Sequence, residues 1–389
     1  MYMDAFEQKV LHSHVLYSGA VMPWKTAVSM ISATVAVLAV AVAVLLAVTP
    51  LGDFKDSLPV PLEGVFAPNK ALQSCELLFA EVSGPETIAL HPDPQVDTLY
   101  AFSASGEVLA LDPESSESLV LANTGGRPIS GVVDEEGNVF FLDALVGLLK
   151  YDAKTQKVEY LASFSHGRRM NFVDDIAMFR NGTLVFSDAT MFRPESVSEM
   201  LSVSGKAVIS MLPSGRVLSF DPKTKSIKTM LGGFIFANGV AISKDESFVL
   251  VADSGAFRLF KVSSGFRKET FGPPLPGIPD GIRLGTQGDV WVAIVKQVPQ
   301  ILQAMLPYRL LRALLFHVPI KYLPLRHYDL IIHLDAFGNP IESFHDPSGR
   351  LHGITSVIER NGYLYLGTLS GKGILRCDLK KLRSRSIEN

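Results

Sequence analysis

One kind of step recurs six times along this chain, with three of the five intervals at 42–45 residues and two longer, and it limits the possible folds more than any other feature. Each step begins with a proline or an apolar residue, continues with a residue typical of exposed positions, and runs into a short apolar stretch with strand character. The six steps are Pro85-Glu86-Thr87-Ile88, Pro128-Ile129-Ser130-Gly131, Val173-Asp174-Asp175-Ile176, Ala237-Asn238-Gly239-Val240, Pro279-Asp280-Gly281-Ile282 and His352-Gly353-Ile354-Thr355. Apolar hairpins follow them, as at 98–102 with 106–112. Repeats of this length made of several short strands are the signature of a β-propeller, so the sequence predicts an all-β, six-bladed β-propeller.

Four of the six steps carry an oxygen-bearing side chain at equivalent positions. In a propeller the innermost strand of every blade runs beside the central axis, so residues at the starts of these strands face one place. The four are Glu86, Asp174, Asn238 and Asp280. Carboxylate and amide oxygens are ligands that Ca²⁺ prefers. The alternative is that short polar residues here only cap turns and strand ends. Convergence from four blades favours a Ca²⁺ site.

Length and charge restrict the remaining possibilities. Six blades fill the chain from Cys75 to Leu379, so a single propeller domain is predicted over 72–389, without room for a second large domain. The net charge is -3, which gives no basic footprint for nucleic acid.

The apolar stretch before the repeats predicts a membrane span. No charged residue occurs between Thr26 and Gly52, and the stretch is long enough to cross a bilayer as a helix. It is also longer than the apolar part of most signal peptides, although a cleaved signal peptide remains the alternative. A transmembrane helix is therefore predicted at 26–50, between an N-terminal segment (1–25) and a linker (51–71).

The residues beside this span indicate its orientation. Trp24 and Lys25 precede it, and a basic residue on the N-terminal side favours a cytoplasmic N-terminus. The chain is then a single-pass type II protein with a signal anchor. Its propeller is expected in the lumen or outside the cell, at the endoplasmic reticulum or the plasma membrane.

Two features bear on that compartment. Asn181-Gly182-Thr183 is an N-glycosylation sequon at a predicted hairpin turn. The chain has only two cysteines, Cys75 just before the first blade and Cys377 in the last strand. Because a propeller closes by bringing its two ends into one blade, these cysteines are expected to be neighbours. A disulfide is favoured over two unpaired thiols, and it requires an oxidising compartment.

The order of motifs resembles the strictosidine-synthase-like family over about residues 72–379. These motifs include Gly84-Pro85-Glu86-Thr87-Ile88, Gly126-Arg127-Pro128, Phe172-Val173-Asp174-Asp175, Phe236-Ala237-Asn238-Gly239-Val240, Pro279-Asp280-Gly281-Ile282-Arg283 and His345-Asp346-Pro347. More distantly the chain is similar to paraoxonases and gluconolactonases, which are calcium-dependent esterases, lactonases and phosphotriesterases. The cysteine pair also falls where paraoxonases close their propeller.

The resemblance places Glu86, Asp174, Asn238 and Asp280 at the metal. Members usually have Asn where this chain has Asp174, and often a further Asn where it has Gly281. Asp175 resembles the position that serves a second, structural calcium in paraoxonases. Its expected acidic partner is replaced by Thr87, which argues against that second metal.

Two departures from the family concern catalysis. Strictosidine synthase uses a glutamate on the innermost strand of its last blade, whereas residues 353–356 contain no carboxylate, so its condensation reaction is not expected. Paraoxonases use a histidine of blade two as general base, and Asp143 is the nearest match. The candidates to orient or deprotonate water are Asp175, Asp143, Asp188 and His352.

Between blades five and six the repeat is stretched by an insert, 298–317, with leucines at helical spacing. It is either a helix packed on the propeller or an amphipathic lid that rests on membrane lipid and admits apolar substrates. A shorter insert, 191–211, is expected to form another wall of the same mouth. The sequence thus predicts a membrane-anchored calcium-dependent hydrolase of the arylesterase or lactonase type, acting on apolar esters or lactones. The alternative is a catalytically silent propeller that binds a ligand or acts as a scaffold.

Overall fold

The computed structural model describes residues 24–54, 58–263, 265–325 and 327–387. The chain divides into two compact units, 1–49 and 50–389. In the first unit the helix α1 (Trp24–Val48) is described, and its stretch Val28–Val48 is long and apolar enough to cross a membrane. It begins and ends two residues before the predicted span of 26–50. The predicted cytoplasmic segment lies outside the described residues except at its last two positions.

The second unit is a six-bladed β-propeller, as predicted. Each blade is a four-stranded antiparallel sheet. The strand β1 (Glu76–Ser83) comes first in the chain but belongs to the last blade. Blade one contains β2 (Ile88–Leu90), β3 (Leu99–Phe102), β4 (Glu107–Leu111) and β5 (Ser118–Asn123), and blade two β6 (Pro128–Val133), β7 (Val139–Asp143), β8 (Gly147–Asp152) and β9 (Lys157–Ala162). A small ribbon of β10 (Phe164–Ser165) and β11 (Arg168–Arg169) follows.

The remaining blades repeat this plan. Blade three contains β12 (Val173–Met178), β13 (Leu184–Asp188), β14 (Gly215–Asp221) and β15 (Ser226–Phe234), and blade four β16 (Ala237–Ile242), β17 (Phe248–Asp253), β18 (Arg258–Ser263) and β19 (Arg267–Phe271). Blade five contains β20 (Ile278–Leu284), β21 (Val290–Lys296), β22 (Asp329–Leu334) and β23 (Pro340–Asp346). Blade six contains β24 (Ile354–Arg360), β25 (Tyr363–Thr368) and β26 (Lys372–Asp378), with β1 as its outer strand.

Both ends of the propeller meet in blade six. β1 pairs antiparallel with β26, and Cys75 is joined to Cys377 by a disulfide across 302 residues, with a Cα–Cα distance of 4.5 Å. The predicted pairing is therefore confirmed. The structure adds a C-terminal helix, α5 (Leu379–Ile387), whose buried Leu379 and Leu382 pack with both cysteines.

Five innermost strands begin with an irregularity that the sequence did not reveal. In β12 the pairing with β13 shifts between Val173 and Ile176, and in β16 it shifts between Ala237 and Val240. Similar shifts occur near the starts of β6, β20 and β24. Such bulges re-aim side chains and interrupt the ladder. The irregular stretches of β12, β16 and β20 contain Asp174, Asn238 and Asp280, respectively.

The predicted linker 51–71 is packed on the propeller in its described part. Phe66 is buried beside residues of blades four and five, and Asn69 donates to the Ser343 carbonyl oxygen and accepts from the His345 amide. The described part of this segment therefore packs against the outer strand of blade five.

Two inserts add helices at one end of the propeller. α2 (Met200–Ser210) lies between β13 and β14, and α3 (Gln300–Met305) and α4 (Arg309–Phe316) lie between β21 and β22. α2 packs against α4. The two inserts therefore meet although they belong to different blades.

Candidate metal centre

The helical inserts and the starts of the innermost strands enclose a cavity of about 140 Å³. Its walls are largely apolar and come from α2, α3 and the residues after α4, as expected for 191–211 and 298–317. Glu86, Asp174, Asn238 and Asp280 all contribute to its lining. The four predicted ligand positions are thus brought together at one cavity.

The bulges explain how these side chains reach the cavity. Asp174, Asn238 and Asp280 each lie inside the irregular stretch that opens their strand. Glycines beside them let the strands approach closely: a Cβ on Gly239 would stand 2.4 Å from the Asp280 carbonyl oxygen, and one on Gly281 2.4 Å from that of Thr355. A side chain at position 281 is therefore excluded by the backbone of blade six.

Asn238 is held so that its carbonyl oxygen remains available. Its Nδ2 donates to Ser254 Oγ at 3.2 Å, and Ser254 Oγ donates to the Pro279 carbonyl oxygen at 2.6 Å. Asn238 Oδ1 is buried and has no hydrogen-bond partner. Because a buried acceptor without a partner is costly, this oxygen is suited to a ligand that the fold itself does not supply.

Asp174 and Asp280 are buried carboxylates whose ionisation is disfavoured by burial and by neighbouring negative charges. Burial, then the charges of Asp280 and Glu86, raises the pKa of Asp174 well above its usual value. Burial, then the charges of Glu86 and Asp175, does the same to the pKa of Asp280, although hydrogen bonds from Asn238 and Gly281 oppose the shift. A cation bound among these groups would remove both costs.

Glu86 differs because it already has a cationic partner. Arg127 Nη2 donates to Glu86 Oε2 at 2.5 Å, and Nη1 donates to the Gly84 carbonyl oxygen. Burial still raises the pKa of Glu86 against the opposing effect of Arg127. Arg127, which does not itself line the cavity, therefore offsets part of the negative charge of the three carboxylates that do.

Within the described ranges, no group of three or more His, Cys, Asp and Glu side chains has the arrangement of a metal site. The predicted ligand set differs from such a group in two ways: one of its four members is Asn238, and the carboxylate of Glu86 is paired with Arg127. The chemistry of the set nevertheless fits a hard cation, because Asn238 Oδ1 lacks a partner and two buried carboxylates lack cationic ones.

Two of the residues predicted to activate water, Asp143 and Asp188, accept hydrogen bonds from backbone amides. Asp143 accepts from the amides of Leu145 and Val146 and from Thr124 Oγ1. Asp188 accepts from the amides that precede β12 and from Arg216 Nε at 2.8 Å. Neither lines the cavity. Both carboxylates are therefore used to fix the backbone of loops next to the ends of β7 and β13.

Asp175 is occupied by a second arginine. Arg283 Nη1 and Nη2 donate to its two oxygens at 2.7 and 2.9 Å, and it also accepts from Ser130 Oγ and the Val240 amide. A cationic side chain of the chain itself therefore neutralises Asp175. This arrangement argues further against a second structural metal there.

His352, the fourth candidate, is exposed and has a left-handed backbone with φ of 61°. Its ring lies 4.5 Å from that of His327, and its carbonyl oxygen accepts from Lys296 Nζ at 3.4 Å. Lys296 lines the cavity, but His352 does not.

Sequence reasoning missed the basic residues around the cavity, namely Arg127, Arg283 and Lys296. Arg127 and Arg283 each lie in a motif that also contributes to the resemblance, which was the available signal. Lys296 ends β21 and had no such signal.

The insert 298–317 has features of both predicted alternatives. Leu306, Leu315 and the side chain of Arg312 are buried, whereas Leu310 and Leu314 are exposed. Arg312 donates to the carbonyl oxygens of Ser210 and Gly52, each at 2.9 Å. The insert therefore forms two short packed helices, with an apolar edge left in solvent.

Comparison with known proteins agrees with this architecture. The sequence profile of the SMP-30/Gluconolactonase/LRE-like region matches residues 68–303. The adipocyte plasma membrane-associated protein of Danio rerio is 30% identical over 353 residues, covering 83% of this chain and 82% of the relative. Strictosidine synthase-like 7 of Arabidopsis thaliana is 33% identical over 304 residues, covering 76% and 79%.

Solved structures match at the level of the fold. A gluconolactonase from Xanthomonas campestris superposes with a TM-score of 0.56 at 16% identity, covering 77% of this chain and 87% of that chain. A calcium-binding regucalcin from Agrobacterium tumefaciens superposes with a TM-score of 0.54 at 15% identity, covering 80% and 93%. Together with the profile match and the relatives near 30% identity, these results show that the chain belongs to the SMP-30/gluconolactonase/LRE-like family of propellers, with strictosidine synthase-like proteins among its relatives.

Proposed function

We propose that this protein is a membrane-anchored, calcium-dependent hydrolase of esters or lactones with apolar parts. One observation carries the proposal: Asn238 Oδ1, buried and without a partner, lies at the same cavity as the buried carboxylates Asp174 and Asp280. Glu86 completes the proposed ligand set. Bound Ca²⁺ would supply polarisation of a substrate carbonyl and stabilisation of the oxyanion that hydrolysis forms.

The protein's own residues position the ligands and exclude water. Ser254 orients the Asn238 amide, and Arg127 fixes one oxygen of Glu86. Apolar walls from α2 and α3 favour an apolar acyl or alcohol group and lower the polarity around the floor. None of Asp143, Asp175, Asp188 and His352 lines the cavity, so the proposal assigns the general base to none of them.

That last observation favours a second candidate function, a binding protein without turnover. In this case the carboxylates and a cation fix the cavity, and an apolar ligand occupies it without reaction. The same metal ligands serve both functions, so binding of Ca²⁺ alone does not separate them.

The proposal includes a location. The apolar helix α1 is proposed to be a type II anchor with the propeller on the lumenal or extracellular side, where the disulfide is stable. The exposed Leu310, Leu314 and Tyr308 beside the cavity are proposed to contact membrane lipid and to admit apolar substrates.

Hydrolysis of phenyl acetate and of an alkyl lactone by the full chain in nanodiscs tests the hydrolase. Activity is expected with Ca²⁺, and EDTA and Asp280→Asn are each expected to lower it at least about a hundredfold. Glu135→Gln, an exposed carboxylate on blade two, is the matched control and should leave the rate unchanged. Calcium binding without hydrolysis favours the silent binding protein. Hydrolysis that resists both EDTA and Asp280→Asn contradicts the proposed site.

A further inference from the structure

A small cationic cluster stands at the side of the cavity and has no role in the proposed metal site. Lys296 lines the cavity, and its Nζ donates to His327 Nδ1 at 3.1 Å and to the His352 carbonyl oxygen at 3.4 Å. The His327 and His352 rings lie 4.5 Å apart. We call Lys296, His327 and His352 the rim cluster.

The donors of the rim cluster are only partly used. An ammonium group has three N–H donors, and two of those on Lys296 are directed to His327 and His352. Burial, then the charges of Lys296 and His352, lowers the pKa of His327. A lowered pKa favours the neutral ring, whose Nδ1 accepts from Lys296 Nζ and whose Nε2–H is a further donor.

Lys296 also lacks a close anionic partner. No ion pair joins its Nζ to a carboxylate within the described part of the chain. Asp329 influences it only at longer range, and the Asp329 oxygens already accept from the amides of Leu351 and Gly353. A partly buried ammonium beside an apolar wall, with one donor left over, is a site for a ligand anion.

The apolar wall indicates the rest of the ligand. Val295, Leu323 and Leu325 line the same cavity as Lys296, and Leu302 of α3 and Leu306 after it continue that surface. We propose that the rim cluster binds the anionic group of an amphiphile, a carboxylate or a phosphate, whose apolar chain lies along this wall. Recognition through Lys296 requires neither the metal nor turnover.

Protection of Lys296 from acetylation tests this directly. The full chain in nanodiscs of neutral lipid is treated with an amine-reactive acetylating reagent, and modification of each lysine is followed by peptide mass spectrometry. Octanoate and octyl phosphate are compared with octanol, each at a total concentration that gives the same number of molecules per lipid in the bilayer. We expect the anions to slow acetylation of Lys296 at least about fivefold and octanol to leave it unchanged. Lys154, exposed on blade two, is the internal control.

Variants separate the cluster from the metal. Equilibrium dialysis of octanoate, corrected with empty nanodiscs, is expected to show about tenfold weaker binding for Lys296→Met and near-normal binding for Lys296→Arg, both in EDTA and in Ca²⁺. Stronger protection by octyl phosphate identifies a phosphate ligand, and stronger protection by octanoate a carboxylate. Equal protection by octanol, or octanoate binding that Lys296→Met leaves intact, overturns the proposal. Failure of hydrolysis would leave these outcomes unaffected.

Discussion

Arg283 of blade five donates to both carboxylate oxygens of Asp175 in blade three, at 2.7 and 2.9 Å. The two residues are 108 positions apart, and the pair links the innermost strands of blades three and five across blade four. Burial opposes a charged Arg283, but the Asp175 charge and hydrogen bonds raise its pKa overall. Arg283 therefore keeps its charge although it is buried.

Removing one partner of this buried pair is expected to destabilise the propeller strongly. Arg283→Met leaves the buried Asp175 carboxylate without its cationic partner, and should lower the free energy of unfolding by about 3–5 kcal/mol in urea titrations. The double variant Asp175→Asn with Arg283→Met should recover part of this loss because no charge is left alone. A loss below about 1 kcal/mol would contradict the structural role assigned to the pair.

Asp280→Asn is expected to change stability in opposite directions with and without calcium. In EDTA at pH 7 the substitution removes a buried carboxyl group whose pKa is raised by burial and by the charge of Glu86. Because ionisation of this group destabilises the folded state, the melting temperature should rise by a few degrees. In Ca²⁺ it removes a proposed ligand, so the calcium-induced stabilisation should shrink. Differential scanning fluorimetry in both buffers measures this sign change, with Glu135→Gln as control. A shift of the same sign in both buffers would argue against Asp280 as a ligand.

The disulfide is expected to contribute substantially to stability. It closes a loop of about 300 residues, and the chain-entropy model gives about 5.7 kcal/mol for such a loop, which is above the range of about 0–5 kcal/mol measured for disulfides. Replacing Cys75 and Cys377 together by alanine should lower the urea midpoint clearly, and reduction of the native protein should produce a similar shift. An unchanged midpoint after both treatments would show that the pairing of β1 with β26 suffices by itself.

His345 should make the propeller sensitive to acid. Burial lowers its pKa to about 4, and its ring nitrogens contact Tyr328 Oη at 2.9 Å and Ser343 Oγ at 2.8 Å. The unfolded chain binds the proton near pH 6.5, so below that pH it binds more protons than the folded state. Stability should fall by about 3 kcal/mol from pH 6.5 to pH 4 on account of this residue. Urea midpoints across this range, compared with those of His345→Gln, isolate the contribution; parallel pH profiles would exclude it.

Asn181 reports the side of the membrane. It is exposed in the turn between β12 and β13, and its Oδ1 accepts from the Thr183 amide at 2.8 Å. A lumenal propeller should carry a glycan there, so glycosidase treatment should increase the mobility of the natural chain but not of Asn181→Gln. Identical mobility of all samples would remove this support for the proposed topology.

The parts of the fold that depend on local pattern were predictable. Prolines, glycines and short polar residues mark the six strand openings, and the alternation of apolar residues identifies the hairpins after them. Ring closure followed from the repeat, and with it the proximity of Cys75 and Cys377. The convergence of Glu86, Asp174, Asn238 and Asp280 followed from equivalence of position in that repeat.

The partners of the charged residues were not predictable. Arg127 reaches Glu86 from the next blade, and Arg283 reaches Asp175 across another, so neither pair is close in sequence. Arg312 lies among leucines of helical spacing, where the sequence pattern alone indicates an arginine that interrupts an apolar surface. It is instead 2% exposed, because the carbonyl oxygens of Ser210 and Gly52 satisfy its guanidinium. Such pairings depend on how distant parts of the chain are placed in three dimensions. The periodicity of the sequence carries no information about that placement.

The pairing of β1 with β26 can form only late in biosynthesis. Leu78 pairs with Ile374, and Leu77 with Leu375, so the first strand remains without its neighbour until nearly the whole chain has been made. At ribosomal rates of about 5–20 residues per second, that interval is about 15–60 s. During this time the exposed edge of β1 and the thiol of Cys75 are open to wrong partners. Oxidation of Cys75 with Cys377 is therefore a late event, and it reports that the last blade has closed.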